Sequence, residues 1–401
     1  MEGMRRSRWL ARLAATLTVG MAGMAVTASA PAQAGIVFQS HVMAGWGHGL
    51  LGDGGSGRSL YGDIKPVGNN VVQVAGGWYR HHLTLRSDGT VWAWGQNGSG
   101  QLGDGTTTGE GTPVQVTGLT GVSQVAAGYN HSLALKSDGT VWAWGNNNHG
   151  QLGNGTSVGS LVPVQVPRLD HVTQISAGYG FSLALRSDGT VWAWGWNDKA
   201  QLGAFSTPFS ETPVQVEGLS HATGISAGFE HAVATATDGT SVLTSVWAWG
   251  GNEYGQLGDG TLTSHGAKRV TGLPVYIAGI SAGDAFTTVL SGDGAVWAWG
   301  YDTSGQLGNA PSSSPVTRPV NTIGLGSGII QLSAGGAHVL ALKSNGTVLA
   351  WGNNQFSQLG IGSQASVTGP VQVTGLTSAT QVAAGLDVSF AIHTVPYLVG
   401  L

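Results

Sequence analysis

Twelve histidines and twenty carboxylates are the groups in this 401-residue chain with the chemistry for acid–base or metal work, and there is no cysteine. Catalysis requires such groups to converge on one reacting atom. Their spacing does not bring them together locally, because the histidines follow no metal-ligand pattern. His81, His131, His231 and His338 instead occupy one repeated position, with Phe181 in a near-equivalent place, as expected for a structural histidine tying a loop between two strands. Asp104 and Asp259 recur in a Q-L-G-D-G phrase, and Asn154 and Asn309 stand at the same place. That exchange suits a turn residue bonding its own backbone better than a calcium ligand. No phosphate-cradling loop or nucleophile elbow is present. The chain reads as non-enzymatic, with no catalytic residue, metal or cofactor expected.

Aromatic side chains offer a different chemistry. Trp78, Tyr79, Tyr129, Tyr179 and Phe229 follow a recurring small-residue segment, whereas Asp284, Gly336 and Leu386 stand there in other units. Trp196, Tyr254, Tyr301 and Phe356 follow a recurring Trp-Gly pair. Trp and Tyr are the usual anchors of protein interfaces. Rings packed on their own loops are the alternative, but their loss from three units argues that the fold does not demand them.

The elements that must position these rings come from an internal repeat. Trp-Gly pairs fall at Trp46, Trp94, Trp144, Trp194, Trp249, Trp299 and Trp351, about 50 residues apart. A glycine ends the small-residue segment at Gly77, Gly128, Gly178, Gly228, Gly283, Gly335 and Gly385. Within one unit, 122–128 reads as a strand small enough for the centre of a ring, and 131–137 as a second. Asp138-Gly139 signals a two-residue type I′ turn, which needs positive φ at both positions. The third strand, 140–145, places Trp142 and Trp144 on one face, both expected between units. Pro163-Val164-Gln165-Val166 reads as an outer edge strand, where a missing donor breaks no ladder.

Four antiparallel strands in each of seven units predict an all-β, seven-bladed β-propeller over 35–401. The first Trp-Gly strand, about 40–47, has no small-residue strand before it, and 381–394 has no Trp-Gly strand after it. One composite blade, with outer strands from the N-terminus and inner strands from the C-terminus, is expected to close the ring. Because strands alternate up and down, the two aromatic loops fall on one face.

Residues 1–34 read as a cleaved export signal. Arg5, Arg6, Arg8 and Arg12 precede an apolar run from Leu13 to Ala28, and Ala32-Gln33-Ala34 offers a cleavage site before Gly35. Arg5-Arg6 leaves the twin-arginine route open beside the general one. The run is shorter than a membrane span and no second one follows. The mature chain keeps 12 basic and 19 acidic residues, a net charge near −7, with no basic run. That balance disfavours nucleic acid, whose binding rests on neutralising phosphates. A secreted monomer without a membrane span or disulfides is expected.

The phrases A-G-x-x-H-S-L-A-L, S-D-G-T-V-W-A-W-G and G-Q-L-G-D-G-T, over roughly 40–395, resemble the regulator of chromosome condensation repeat family, here as a bacterial exported member. The resemblance implies the propeller more firmly than a function. The family's eukaryotic founder is a nucleotide exchange factor that binds chromatin, but this chain has neither a basic tail nor a long inter-strand wedge. Secreted propeller-type β-lactamase inhibitory proteins are similar in blade number, signal peptide and lack of disulfides, although their blades are shorter and lack Q-L-G-D-G-T. The expectation is an exported protein-binding propeller that meets a partner outside the cell or in its envelope, as an enzyme inhibitor or surface adaptor. A carbohydrate- or cell-wall-binding lectin is the alternative.

Overall fold

The computed structural model describes residues 37–49, 51–54 and 70–398, so the export reading of 1–34 lies outside the described residues. Two compact units are distinguished: residues 39–395 are the ring, and 1–38 with 396–401 form the other, of which only the strand ends 37–38 and 396–398 are described.

The described residues contain strands and turns and no helix. Six four-stranded antiparallel sheets run in chain order over 71–115, 122–165, 172–215, 222–269, 277–321 and 329–372. The seventh sheet is composite: Val37–Gly47 pairs with Val388–Leu398, which pairs with Ala379–Ala384. The outermost strand expected from the N-terminus lies outside the described residues. The first strand of each blade touches that of the next, and Ala379–Ala384 touches Val71–Gly76, which closes a seven-bladed β-propeller.

The middle strands explain why alternation alone does not give one wet face. In His131–Lys136, Leu133 and Leu135 join the cluster shared with the third blade. Ala134, on the opposite face, joins the cluster shared with the first. Each blade is thus covered on both sides by its neighbours, as a sheet buried between two others must be.

Side chains latch each seam. Trp144 is buried among Leu83, Leu85 and Ala134, and its Nε1 donates to the Gln101 carbonyl of the preceding blade at 2.8 Å. Trp194, Trp249, Trp299 and Trp351 repeat that bond, and Trp46 makes it to Gln358 across the closure. On the inner strands Gln73 Nε2 donates to the Val125 carbonyl and the Val125 amide donates to Gln73 Oε1. Gln381 Oε1 accepts from the Val74 amide, bringing the last blade onto the first.

Two local expectations need correction. The first tryptophan of each pair is not core in the same sense: Trp142 is half-buried, with its Nε1 donating to Thr140 Oγ1. It stands nearer the turn, where it still packs against the seam with the first blade but stays partly open. The turn is also different. Gly139 donates to the Lys136 carbonyl and has φ +82°, while Asp138 is not in the positive-φ region. Ser137 and Asp138 are therefore the central turn residues, and Gly139 is the left-handed bulge that follows. Asp138 Oδ1 accepts from both the amide and hydroxyl of Thr140, fixing the bend.

The outer strand Ser160–Gln165 carries Pro163 where the ladder tolerates it. Pairing jumps from Ala143–Val164 to Gly145–Ser160, and Pro163 lies in that gap.

Candidate functional site

The repeated histidines form Ser–His pairs across blade seams. His131 Nε2 lies 2.9 Å from Ser182 Oγ, and Ser182 donates its hydroxyl to the Gln151 carbonyl at 2.9 Å. With that proton committed, the imidazole must donate from Nε2. His81–Ser132, His231–Thr287 and His338–Ser389 repeat the contact. All four rings are buried, and burial pushes His81 down to about 4 and the other three to about 3. A hydroxyl donating to a carbonyl inside a seam is not an accessible nucleophile. The ring also explains the preceding glycine: a Cβ on Gly128 would stand 2.3 Å from His131 Cε1.

Asp104 and Asp259 behave as turn residues. Asp104 accepts from the Thr106 amide and hydroxyl, and Asp259 does the same with Thr261. Among the described residues, no group of three or more His, Asp and Glu is arranged to hold a metal.

The aromatic residues are brought together by a ring of backbone hydrogen bonds that passes from blade to blade. The residue after the inner-strand glycine donates its amide to the next blade: Trp78 to Gly128, Tyr129 to Gly178, Tyr179 to Phe229, Phe229 to Asp284 and Asp284 to Gly335. Their side chains consequently gather on one face. Ring centroids lie 4.7 Å apart for Tyr79–Tyr129, 4.5 Å for Tyr129–Tyr179, 4.4 Å for Tyr179–Phe229 and 5.3 Å for Tyr179–Trp196. Tyr254 and Tyr301 form a separate pair at 5.0 Å. Tyr79 and Tyr254 are 44% and 43% exposed, Tyr301 is exposed, and Tyr129, Tyr179, Phe229 and Trp196 are half-buried.

Trp78 departs from the expectation of an open ring. It is 7% exposed, its Nε1 donates to the Ala177 carbonyl of the third blade at 3.4 Å, and its ring lies 6.3 Å from Phe229 of the fourth. It reaches across the ring axis and floors the cluster. The first blade carries one more residue between Gly77 and His81 than the second does between Gly128 and His131.

Two of the rim aromatics stand where two other blades carry an asparagine. Gln151 Nε2 donates to Asn146 Oδ1 at 2.8 Å, and Gln358 Nε2 to Asn353 Oδ1 at 3.2 Å. Trp196 and Tyr301 replace that asparagine, and beneath them Gln201 Nε2 and Gln306 Nε2 are buried without a hydrogen-bond partner. A buried unpaired donor costs about 1–3 kcal/mol.

Sequence reasoning treated Asp284 only as a missing aromatic and passed over Glu230. Burial pushes Asp284 up to about 6, helped by the nearby Glu230 charge, and burial raises Glu230 as well. The available signal was the next position along, where Glu230 stands in place of Asn130, Gly180, Ala285 and Ala337.

Residues 24–271 match the RCC1-like domain, and 293–342 and 345–392 match the regulator of chromosome condensation (RCC1) repeat, as do 277–306 and 329–358 by a second description. The human E3 ubiquitin-protein ligase HERC2 is 30% identical over 137 residues, 33% of this chain; the chain spans only 3% of that relative's length. Human WBSCR16 superposes with a TM-score of 0.75 at 25% identity, over 88% of this chain and 98% of that one. Prp20p from Saccharomyces cerevisiae, whose structure is described with its binding to Gsp1p and histones, superposes with 0.74 at 25% identity, over 90% and 92%. The matches at 293–342 and 345–392 each run from the Trp-Gly strand of one blade into the first two strands of the next, and the chain belongs to the regulator of chromosome condensation repeat family.

Proposed function

We propose that this chain is an exported, non-enzymatic protein-binding propeller that engages its partner through the aromatic face. The observation that carries the proposal is the pair of unpartnered amides, Gln201 Nε2 and Gln306 Nε2, beneath Trp196 and Tyr301. Buried polar groups left unpaired against the logic of the fold are where function is expected. Asparagine would satisfy the same glutamines, so these two rings are retained at the expense of stability. Prp20p, a propeller of the same family, is described with protein partners, which is consistent with such a role. The uneven rim favours one asymmetric protein over a carbohydrate, which a lectin would meet with the same residues in every blade.

The decisive experiment is affinity capture from culture supernatant and cell envelope with residues 35–401, followed by Kd measurements with the isolated partner. Tyr179→Ala or Trp196→Ala should raise Kd by about 30-fold or more, as a hot spot does. If every rim variant binds within twofold of the parent, the aromatic face is not the interface. Export is read by intact mass: the secreted protein should begin at Gly35, and retention of Met1 overturns it.

A further inference from the structure

Primary carboxamides latch the inner strands, and two consecutive seams lack theirs. Gln73 reaches the second blade, where its Oε1 accepts from the Val125 amide and its Nε2 donates to the Val125 carbonyl. Gln124 does the same to Ile175, Gln174 to Ile225 and Gln331 to Val382, and Gln381 accepts from Val74. Gly224 and Gly279 stand at the glutamine's position in the fourth and fifth blades, opposite Ile280 and Leu332. Leu332 pairs with Ala341 in the register in which Val125 pairs with Ala134, so its amide and carbonyl face the preceding blade. Among the described residues, no side chain hydrogen-bonds to the amide or carbonyl of Ile280 or Leu332.

The missing glutamines also leave room. Ile280 and Leu332 are half-buried, whereas Val125, Ile175, Ile225 and Val382 are buried. Within 4 Å, a Cβ on Gly279 would meet Leu290 Cβ alone, at 3.8 Å, and Gly279 is not in the positive-φ region. Neither space nor backbone conformation therefore calls for glycine there. At Gly224 a Cβ would stand 2.9 Å from Thr235 Oγ1, so that gap is narrower. An N–H and a C=O open on one residue call for a ligand with acceptor and donor on one edge. A primary carboxamide has that edge, whereas the N–H and C=O of a trans peptide group point opposite ways. The four complete latches show the fit within this same protein. We propose that the gap between Gly279 and Leu332 is a binding site for a primary carboxamide, the side chain of a glutamine or asparagine on a peptide segment. The site is separate from the aromatic rings and does not depend on their role.

The test follows the backbone amide resonances of residues 35–401 by NMR as acetyl-Gly-Gln-Gly, with a free C-terminal carboxylate, is added. The Leu332 amide should shift and saturate. Two control peptides carry leucine, or glutamine methylated on its side-chain nitrogen, whose trans amide lacks the paired edge. Both should bind at least fivefold more weakly. Gly279→Gln supplies the protein's own carboxamide, so binding should fall at least tenfold while the melting temperature rises by about 2–4 °C. Gly279→Ala leaves the Leu332 groups open and should bind within twofold of the parent, which separates occupation of the site from loss of the glycine. Should Gly279→Gln not fold, the three peptides still decide, because the amide edge is what distinguishes them. An unmoved Leu332 resonance, equal shifts with the three peptides, or parent-like binding by folded Gly279→Gln overturns the proposal.

Discussion

His131 and Ser182 sit in neighbouring blades, 51 residues apart in sequence, with Nε2 2.9 Å from Oγ. Where the histidine is Phe181 the facing residue is Ala232, and where it is Phe286 the facing residue is Val339. Polar meets polar and apolar meets apolar across each of these seams. An unmatched hydroxyl or imidazole there would be buried without a partner.

Buried histidines, four of them in these seams, make the ring acid-labile. His81, His82, His131, His231 and His338 have folded pKa values depressed to about 3–4 by burial, against 6.5 when free. As pH falls through 6.5 the unfolded chain takes up protons that the folded chain refuses, so their contribution is complete above 6.5 and lost toward 4. Asp284 and Asp302, raised to about 6, act in the opposite sense, since the folded form gains protons first. Five protons against two leave a net uptake of three on unfolding near pH 5, a slope of at most about 4 kcal/mol per pH unit. Thermal unfolding should show a melting temperature lower by about 10 °C or more at pH 5 than at 7.5. A flat profile would contradict it. His131→Phe combined with Ser182→Ala, copying the Phe181–Ala232 seam, should keep the fold and reduce the slope by about one proton.

Trp144→Ala empties a site that no solvent reaches and removes the Nε1 bond to Gln101. A loss of about 3–5 kcal/mol is expected in denaturant titration. A loss under about 1 kcal/mol would mean that the seam repacks around the cavity.

Deleting the strand Val37–Gly47 removes Trp46 and leaves the edge of Val388–Leu398 unpaired. Because the Trp46–Gln358 bond belongs to the closing blade, the whole ring should destabilise rather than one end fray. An unchanged melting temperature would show that the other six blades hold the ring without it.

Trp196→Asn separates stability from binding. The new amide oxygen should accept from Gln201 Nε2 as Asn146 does from Gln151, raising stability by about 1 kcal/mol. The same change should weaken the partner. A melting temperature that falls would mean that the Trp196 stack on Tyr179 and His149 matters more to the fold than the lost amide bond.

Blade number, strand order, the composite closure and the seven core tryptophans were legible in the residues themselves, because each blade repeats the same strand pattern and any one copy explains the others. The turn at Ser137–Asp138 was misread because D-G satisfies both a type I′ turn and a type I turn with a glycine bulge, and only the register of Lys136 with Thr140 separates them. What lies between blades was not legible. Ser182 faces His131, Trp78 crosses to Ala177, and Asp284 stands beside Phe229 because closing the ring brings segments 50 to 100 residues apart to one seam or one axis. Repetition encodes each strand's place within its own blade; which side chains meet across the seams and the axis is set by the closed tertiary ring.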